Sequence, residues 1–444
     1  MSAIPSEIES AGGSYDARAW TALAVLVAMS ALSALDRQVI GLLVAPISAD
    51  LGIGDFQISL LQGLAFALFY CVFGLPLGVL VDRWDRRKLI FVGITIWSLA
   101  QICCGLSRTF DQLAFCRFVV GAGEASLSPA AFSLLADLFC RNRLALALSI
   151  FALGSMVGGS SSWALAGWLV DALKNEQFSL PLVGVLQPWQ LVFVITGAPG
   201  FFVALLIFMV REPTRMGRDQ ALKRWQLGAV FSYIRANAQF WAGLSVGIGM
   251  LALVSYGQAA WMAVILMRRF GWAVSKAGFV LSVNFVIFGF AGFLFCGWIA
   301  DRWYRSGQMD SHMRYFAYAA PVAGILAIVG CMSPNPIVLL LCVGMAQALI
   351  AYMGVAAASI QIAVPNELRG QLTALYLFVM SLIGMGLGPS VVAGFTEYVF
   401  DDAASTHLSL AATYAIFTPL ASLTLLFGMR QMRVAVARQD LLQR

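Results

Sequence analysis

Twelve predominantly apolar stretches follow one another along the chain, each close to or above the roughly 20 residues a helix needs to cross a bilayer. They lie at 19–44, 57–81, 88–107, 112–136, 143–171, 188–210, 239–267, 275–300, 313–332, 336–363, 369–398 and 407–430. The runs are continuous rather than alternating, which fits helices and not barrel strands. Several exceed the minimum and leave room for tilt. The pattern predicts an all-α membrane protein with twelve transmembrane helices. The longest connection, 211–238, follows the sixth run and divides the chain into six plus six. The expected organisation is a polar tail 1–18, a helical bundle 19–210, a linker 211–238, a second bundle 239–430 and a basic tail 431–444. Within the linker, 223–235 is basic and aromatic (Lys223, Arg224, Trp225, Tyr233, Arg235). It reads equally as a helix on the membrane surface or as a solvated connection.

Composition supports the same class. Of 444 residues 60% are apolar and only 11% charged, too little charge to cover a soluble protein of this length. The net charge of +6 is not a nucleic-acid signal, because the positives sit in the short connections. Of the 28 Lys and Arg, Arg37 and Arg117 lie inside runs. Arg108, Lys174, Arg268, Arg269 and Lys276 fall on one side, and the remaining 21 on the other. The positive-inside rule then places both termini in the cytoplasm, in a multi-pass protein of the cell (inner) membrane. The first 18 residues carry Glu7, Glu9 and Asp16 and do not read as a cleavable signal. Eight cysteines (71, 103, 104, 116, 140, 296, 331 and 342) lie in or at the ends of apolar runs without CxxC spacing. They read as small buried hydrophobes and not as a metal site.

The two halves repeat. Gly78-Val-Leu-Val-Asp82-Arg83-Trp84 ends the second run and Gly297-Trp-Ile-Ala-Asp301-Arg302-Trp303 ends the eighth, 219 residues on. A parallel repeat of two six-helix bundles is a transporter architecture.

The segment Gly78–Leu89, with Asp82, Arg83, Asp85, Arg86, Arg87 and Lys88, resembles the signature loop of the major facilitator superfamily. A second segment runs from Arg117 through Gly121, Gly123, Glu124 and Pro129 to Asp137 and Phe139. With Asp36-Arg37, Ser149-Ile-Phe151 and Arg211-Glu-Pro213, it resembles the spinster family over about 19–215. The resemblance implies the major facilitator fold, alternating access, and export of lysolipid-like amphipaths. It also implies a cytoplasmic gate of Gly78, Asp82, Arg86 and Asp137, with Asp82 facing the eleventh helix. A neighbouring family, the anion:cation symporters, shares Asp-Arg in helix 1 and Arg with Glu in helix 4. There Glu-Ala-Pro is usual, and here the chain has Glu124-Ala125-Ser126.

Charges deep in the runs are few. Each costs about 2.5–3.5 kcal/mol at mid-bilayer if it faces lipid, so Asp36, Arg37, Arg117 and Glu124 are expected to pair or line a cavity. Arg117 and Glu124, seven apart, share a helix face about 10.5 Å apart along the axis. With all four ionised the cluster is neutral. Burial disfavours a charged carboxylate and a nearby arginine favours it, so one carboxylate is poised for proton coupling. Glu124 is the expected titrating group and Asp36 the second, because Asp36 has Arg37 beside it in sequence. Arg37 and Arg117 are the expected anion ligands. The second half has no deep acid or base and offers Tyr256, Gln258, Trp261, Asn284, Gln347 and Tyr376 as polar-aromatic substrate contacts, although each also fits interhelical packing.

Gly384, Gly386, Gly388 and Pro389 mark a bending site in the eleventh helix, and Gly154, Gly158 and Gly159 a bend or a close contact in the fifth. No ATP-binding motif occurs, and His312 and His407 lack metalloprotease spacing. The chain therefore reads as a non-enzymatic, monomeric, secondary active transporter. No cofactor is expected beyond the proton, and no metal or nucleic-acid partner. The expected partners are a small amphipathic or anionic substrate and the lipid bilayer. Alternatives are a proton-coupled symporter of small organic anions, or a transceptor.

Overall fold

A backbone in lipid must satisfy its own hydrogen bonds, and helices do so within one segment. Among its described residues the computed structural model has twelve helices long and apolar enough to cross a membrane. It describes residues 7–174, 178–180, 184–213, 227–365 and 368–443. The spans are Ala17–Leu42, Asp55–Val81, Arg86–Leu106, Phe110–Leu138, Leu146–Leu173, Pro188–Met209, Ala238–Phe270, Val274–Arg305, Ser311–Met332, Pro336–Ala363, Arg369–Val399 and Ala403–Gln439; they are numbered 1 to 12 below. Each matches one apolar run. The last continues beyond the expected 430 because Met432 and Val436 keep a buried face between its terminal arginines. Between spans 5 and 6 the chain forms a short antiparallel hairpin, β1 (Phe178–Leu180) and β2 (Gly184–Leu186). Of the linker, Leu227–Ala236 is a helix, with the Tyr233 hydroxyl donating to the Ala363 carbonyl at 2.7 Å. Lys223, Arg224 and Trp225 lie outside the described residues.

Packing sorts the chain into two units, 1–40 with 68–222, and 41–67 with 223–444. In the first, span 1 lies against span 5. Gly158 permits that approach: a Cβ there would fall 1.9 Å from the Ala31 carbonyl oxygen, and one at Gly154 2.7 Å from that of Val27. Ser30 and Ser155 hydroxyls meet at 2.6 Å in the same seam. Span 5 runs as one α-helix through these glycines, so at 154 and 158 they serve close packing and not a bend.

In the second unit, the outer segment of span 2 docks on span 11. The Phe56 N–H donates to Glu397 Oε2 at 2.9 Å, Asp55 takes both Arg268 Nη atoms at 2.6 and 2.8 Å, and Ser59 donates to Ser390 Oγ at 3.2 Å. A Cβ on Gly63 would lie 2.6 Å from the Met385 carbonyl oxygen. Span 11 departs from α geometry where its glycines cluster: Leu382–Leu387 is a π turn, a feature that frequently marks functional sites.

Candidate functional site

The α-helical part of span 1 ends at Gln38, where the chain tightens into a 3₁₀ turn over Val39–Leu42. A helix end leaves its last carbonyls without intrahelical donors. Neighbouring spans supply them: Ser162 Oγ donates to the Leu35 carbonyl at 2.8 Å, and Gln101 Nε2 and Arg117 Nη1 reach that of Asp36 at 3.3 and 3.5 Å. A cation is favoured at this end of the helix dipole. Arg117 therefore caps span 1 as well as lying beside its acid.

Ser33 and Arg37 stand four residues apart and share a face of span 1. Both reach Glu124 on span 4. Arg37 Nη2 lies 2.7 Å from Glu124 Oε2, and Ser33 Oγ donates to the same oxygen at 2.7 Å. The Glu124 side chain is fully buried, whereas that of Arg37 is 26% exposed. Asp36 and Arg117 are buried completely. Among the described residues Glu124 Oε1 has no hydrogen-bond partner, and the Trp97 side chain lies close to the Asp36 carboxyl without forming a well-aligned hydrogen bond. Arg37 also lies over the Tyr70 ring, 5.4 Å from its centroid, and nearby in sequence Phe69 stacks on Phe118 at 4.6 Å. The four expected charges thus come together, but Arg37 pairs with Glu124 and not with its neighbour Asp36. The reason given for preferring Glu124 as the titrating group, an arginine held at Asp36, is corrected accordingly: adjacent side chains on a helix do not face each other.

The signature loop builds a second cluster in the same unit. Asp85 caps span 3, accepting from the Arg87 and Lys88 amides at 2.9 and 3.2 Å. Burial pushes its carboxyl up, but the Arg87 side chain and those amides outweigh this and hold it below the usual carboxylate range. Arg86, 1% exposed, pairs with Asp137 at 2.5 Å and Glu212 at 2.7 Å, and donates to the Ser133 carbonyl at 3.1 Å. Glu212 stands in the Arg211-Glu-Pro213 motif and went unassigned from sequence, although an acid in a basic connection was a usable signal. Arg87 lies 3.8 Å from Glu212. A Cβ on Gly78 would meet nothing within 4 Å. The Asp82 side chain lies outside the described residues.

In the second unit, Gln258 Nε2 donates to Gln347 Oε1 at 2.9 Å and the Tyr414 hydroxyl donates to Gln258 Oε1. Trp261 Nε1 donates to the Pro389 carbonyl at 2.9 Å, Asn284 Nδ2 to that of Leu340 at 3.1 Å, and Tyr376 lies 3.6 Å from Met380 Sδ. Tyr256 packs at Gly384, its Cδ2 3.3 Å from where a Cβ would stand. Gln258 and Gln347 are brought together, with Tyr414 as a partner not anticipated. Trp261 and Asn284 bond elsewhere, as interhelical ties, and Tyr376 contacts Met380 within its own helix.

Residues 26–389 match the model of the Major Facilitator Superfamily. The chain is 23% identical over 427 residues to a probable L-galactonate transporter of Escherichia coli, covering 93% of this chain and 89% of that protein. It is 30% identical over 253 residues to protein spinster homolog 1 of Homo sapiens, covering 55% of this chain and 45% of the relative. Among solved structures, a bacterial homologue of the human lysosomal transporter spinster, inward-facing and unoccupied, superposes with a TM-score of 0.74. It is 26% identical and the match covers 95% of this chain and 97% of that one.

Proposed function

We propose that this chain, which belongs to the Major Facilitator Superfamily, couples the movement of an amphipathic anion to a proton through Glu124. It is an integral, multi-pass inner-membrane transporter and not an enzyme. Its likeness to spinster proteins supports a lysolipid-like substrate.

One observation carries the reading: Arg37 is the partly exposed member of a buried charge cluster, and its counter-charge is a fully buried carboxylate. Protonating Glu124 cancels the charge that holds Arg37 and leaves the guanidinium to attract an anionic headgroup. Deprotonation restores the competitor. The Tyr70 ring under Arg37 offers apolar surface beside the charge, which suits a molecule with one charged and one apolar end. The 21-to-5 distribution of Lys and Arg supports cytoplasmic termini.

A second reading, symport of a small organic anion, has the likeness to the probable galactonate transporter in its favour. Proteoliposomes separate the two. With a pH-sensitive dye inside, an anionic lysophospholipid added outside is expected to change the lumenal pH, and galactonate is not. A proton signal with galactonate alone selects the second reading. Binding without any flux removes the transporter reading in favour of a sensor.

A further inference from the structure

Glu124 uses its two carboxylate oxygens unequally. Oε2 accepts two hydrogen bonds at 2.7 Å, from Ser33 Oγ and from Arg37 Nη2. Oε1 is also buried and accepts none from the described residues. A serine inside a helix ordinarily turns its hydroxyl back to a carbonyl of the preceding turn. Ser255 and Ser359 do so here, each at about 3 Å from the carbonyl four residues earlier. Ser33 commits its single proton to the carboxylate instead. Its position explains the aim: one turn before Arg37 on the same helix face, it reaches the same oxygen from the same side.

We propose that Ser33 is a positioning residue for the proton step, holding Oε2 in both protonation states so that Oε1 is the atom that takes the proton. The inference rests on Glu124 as the coupling carboxylate. On protonation a new O–H bond forms at Oε1 and the negative charge is cancelled. Oε2 becomes the carbonyl oxygen of the acid and goes on accepting from Ser33. Arg37 loses its counter-charge and turns to the anion. A hydroxyl donates to a neutral carbonyl as well as to a carboxylate, though more weakly, so the carboxyl keeps its place while the arginine leaves. The other charges acting on Glu124 are Asp36 from span 1 and Arg117 from its own span. Both stay in place when Ser33 is changed.

The test needs no substrate. The full chain in lipid nanodiscs is titrated by infrared spectroscopy, following the C=O stretch of protonated carboxyl groups, with Glu124→Gln used to assign the band. In Ser33→Ala the midpoint of that band is expected to move to higher pH by about one unit, the difference between a hydroxyl hydrogen bond to the charged and to the neutral carboxyl. Ser33→Thr, which keeps the hydroxyl, is expected to restore the midpoint. A midpoint in Ser33→Ala equal to that of the unaltered protein overturns the positioning role and leaves Glu124 as the coupling group. A Thr variant that behaves like Ala also overturns it, because packing and not the hydroxyl would then set the midpoint. Survival of the band in Glu124→Gln sinks the reading of Glu124 itself.

Discussion

Arg37 reaches past its own neighbour Asp36 to set Nη2 2.7 Å from Glu124 Oε2, 87 residues further along the chain. Two acids that sequence alone treats as near-equivalents are thereby given different surroundings. Glu124 has a cation and a hydroxyl on one oxygen; the Asp36 carboxyl is enclosed beside the Trp97 side chain and Arg117. Glu124→Gln keeps shape and removes titration. The variant is expected to fold normally and to bind an anionic lysophospholipid with an affinity that no longer depends on pH. Retained pH dependence would transfer the role to Asp36.

The two buried arginines are expected to fail differently. Arg117 donates to the carbonyl end of span 1 and is wholly enclosed, so Arg117→Ala should lose roughly 3–5 kcal/mol of stability as an uncompensated buried acid is left behind. Thermal unfolding in detergent reads this. Arg37 is part-exposed, and Arg37→Ala should instead weaken binding of an anionic lysophospholipid at least about tenfold, a loss of about 1.4 kcal/mol. A well-folded Arg117→Ala would remove the capping role; normal binding in Arg37→Ala would make that arginine structural.

Arg86 ties the start of span 3 to the ends of spans 4 and 6 through Asp137 and Glu212. Its guanidinium serves several acceptors from one plane, a task lysine does not perform. Both Arg86→Ala and Arg86→Lys are therefore expected to lower the unfolding temperature, with the lysine variant recovering less than half of the loss. Full recovery by lysine would mean that charge alone matters there.

Asp85 gives a pH prediction outside the membrane. Its carboxyl is held below the ordinary range, so the stability it adds is fully present above the unfolded value of about 4 and is lost as pH falls through the folded one. Asp85→Ala should cost about 1 kcal/mol near neutral pH through loss of the cap. Asp85→Asn should keep most of the cap and flatten this part of the acid limb. Parallel acid limbs for the Asn variant and the unaltered protein would contradict the assignment.

The spans were legible because lipid imposes one rule on every segment, and a run of apolar residues records it. Their ends were less so. Span 12 runs nine residues past its apolar run because one buried face continues between Arg430, Arg433 and Arg438. The charged cluster could be found since four ionisable groups in apolar surroundings are conspicuous, yet its pairing could not, because side-chain direction around a helix is not written in adjacency. Ser33 gave no signal of its own; only its place one turn before Arg37 hinted at a shared target. The Asp55–Arg268 pair and the Phe56–Glu397 bond join residues 213 and 341 positions apart, and a single sequence carries nothing that links such distant loops.

The docked segment of span 2 bears on how the protein is made. Residues 41–67 belong by packing with 223–444, yet they are synthesised first. At about 5–20 residues per second, Glu397 follows Phe56 by about 17–70 s. Through that interval the helix at 55–62 lacks the carboxylate that accepts its Phe56 N–H, and for the first 213 residues of synthesis after Asp55 it also lacks the arginine that pairs with Asp55. Gly63 likewise has no span 11 to lie against. Inserting the first half into the membrane therefore cannot complete it, and the final assembly of span 2 waits for the synthesis of span 11.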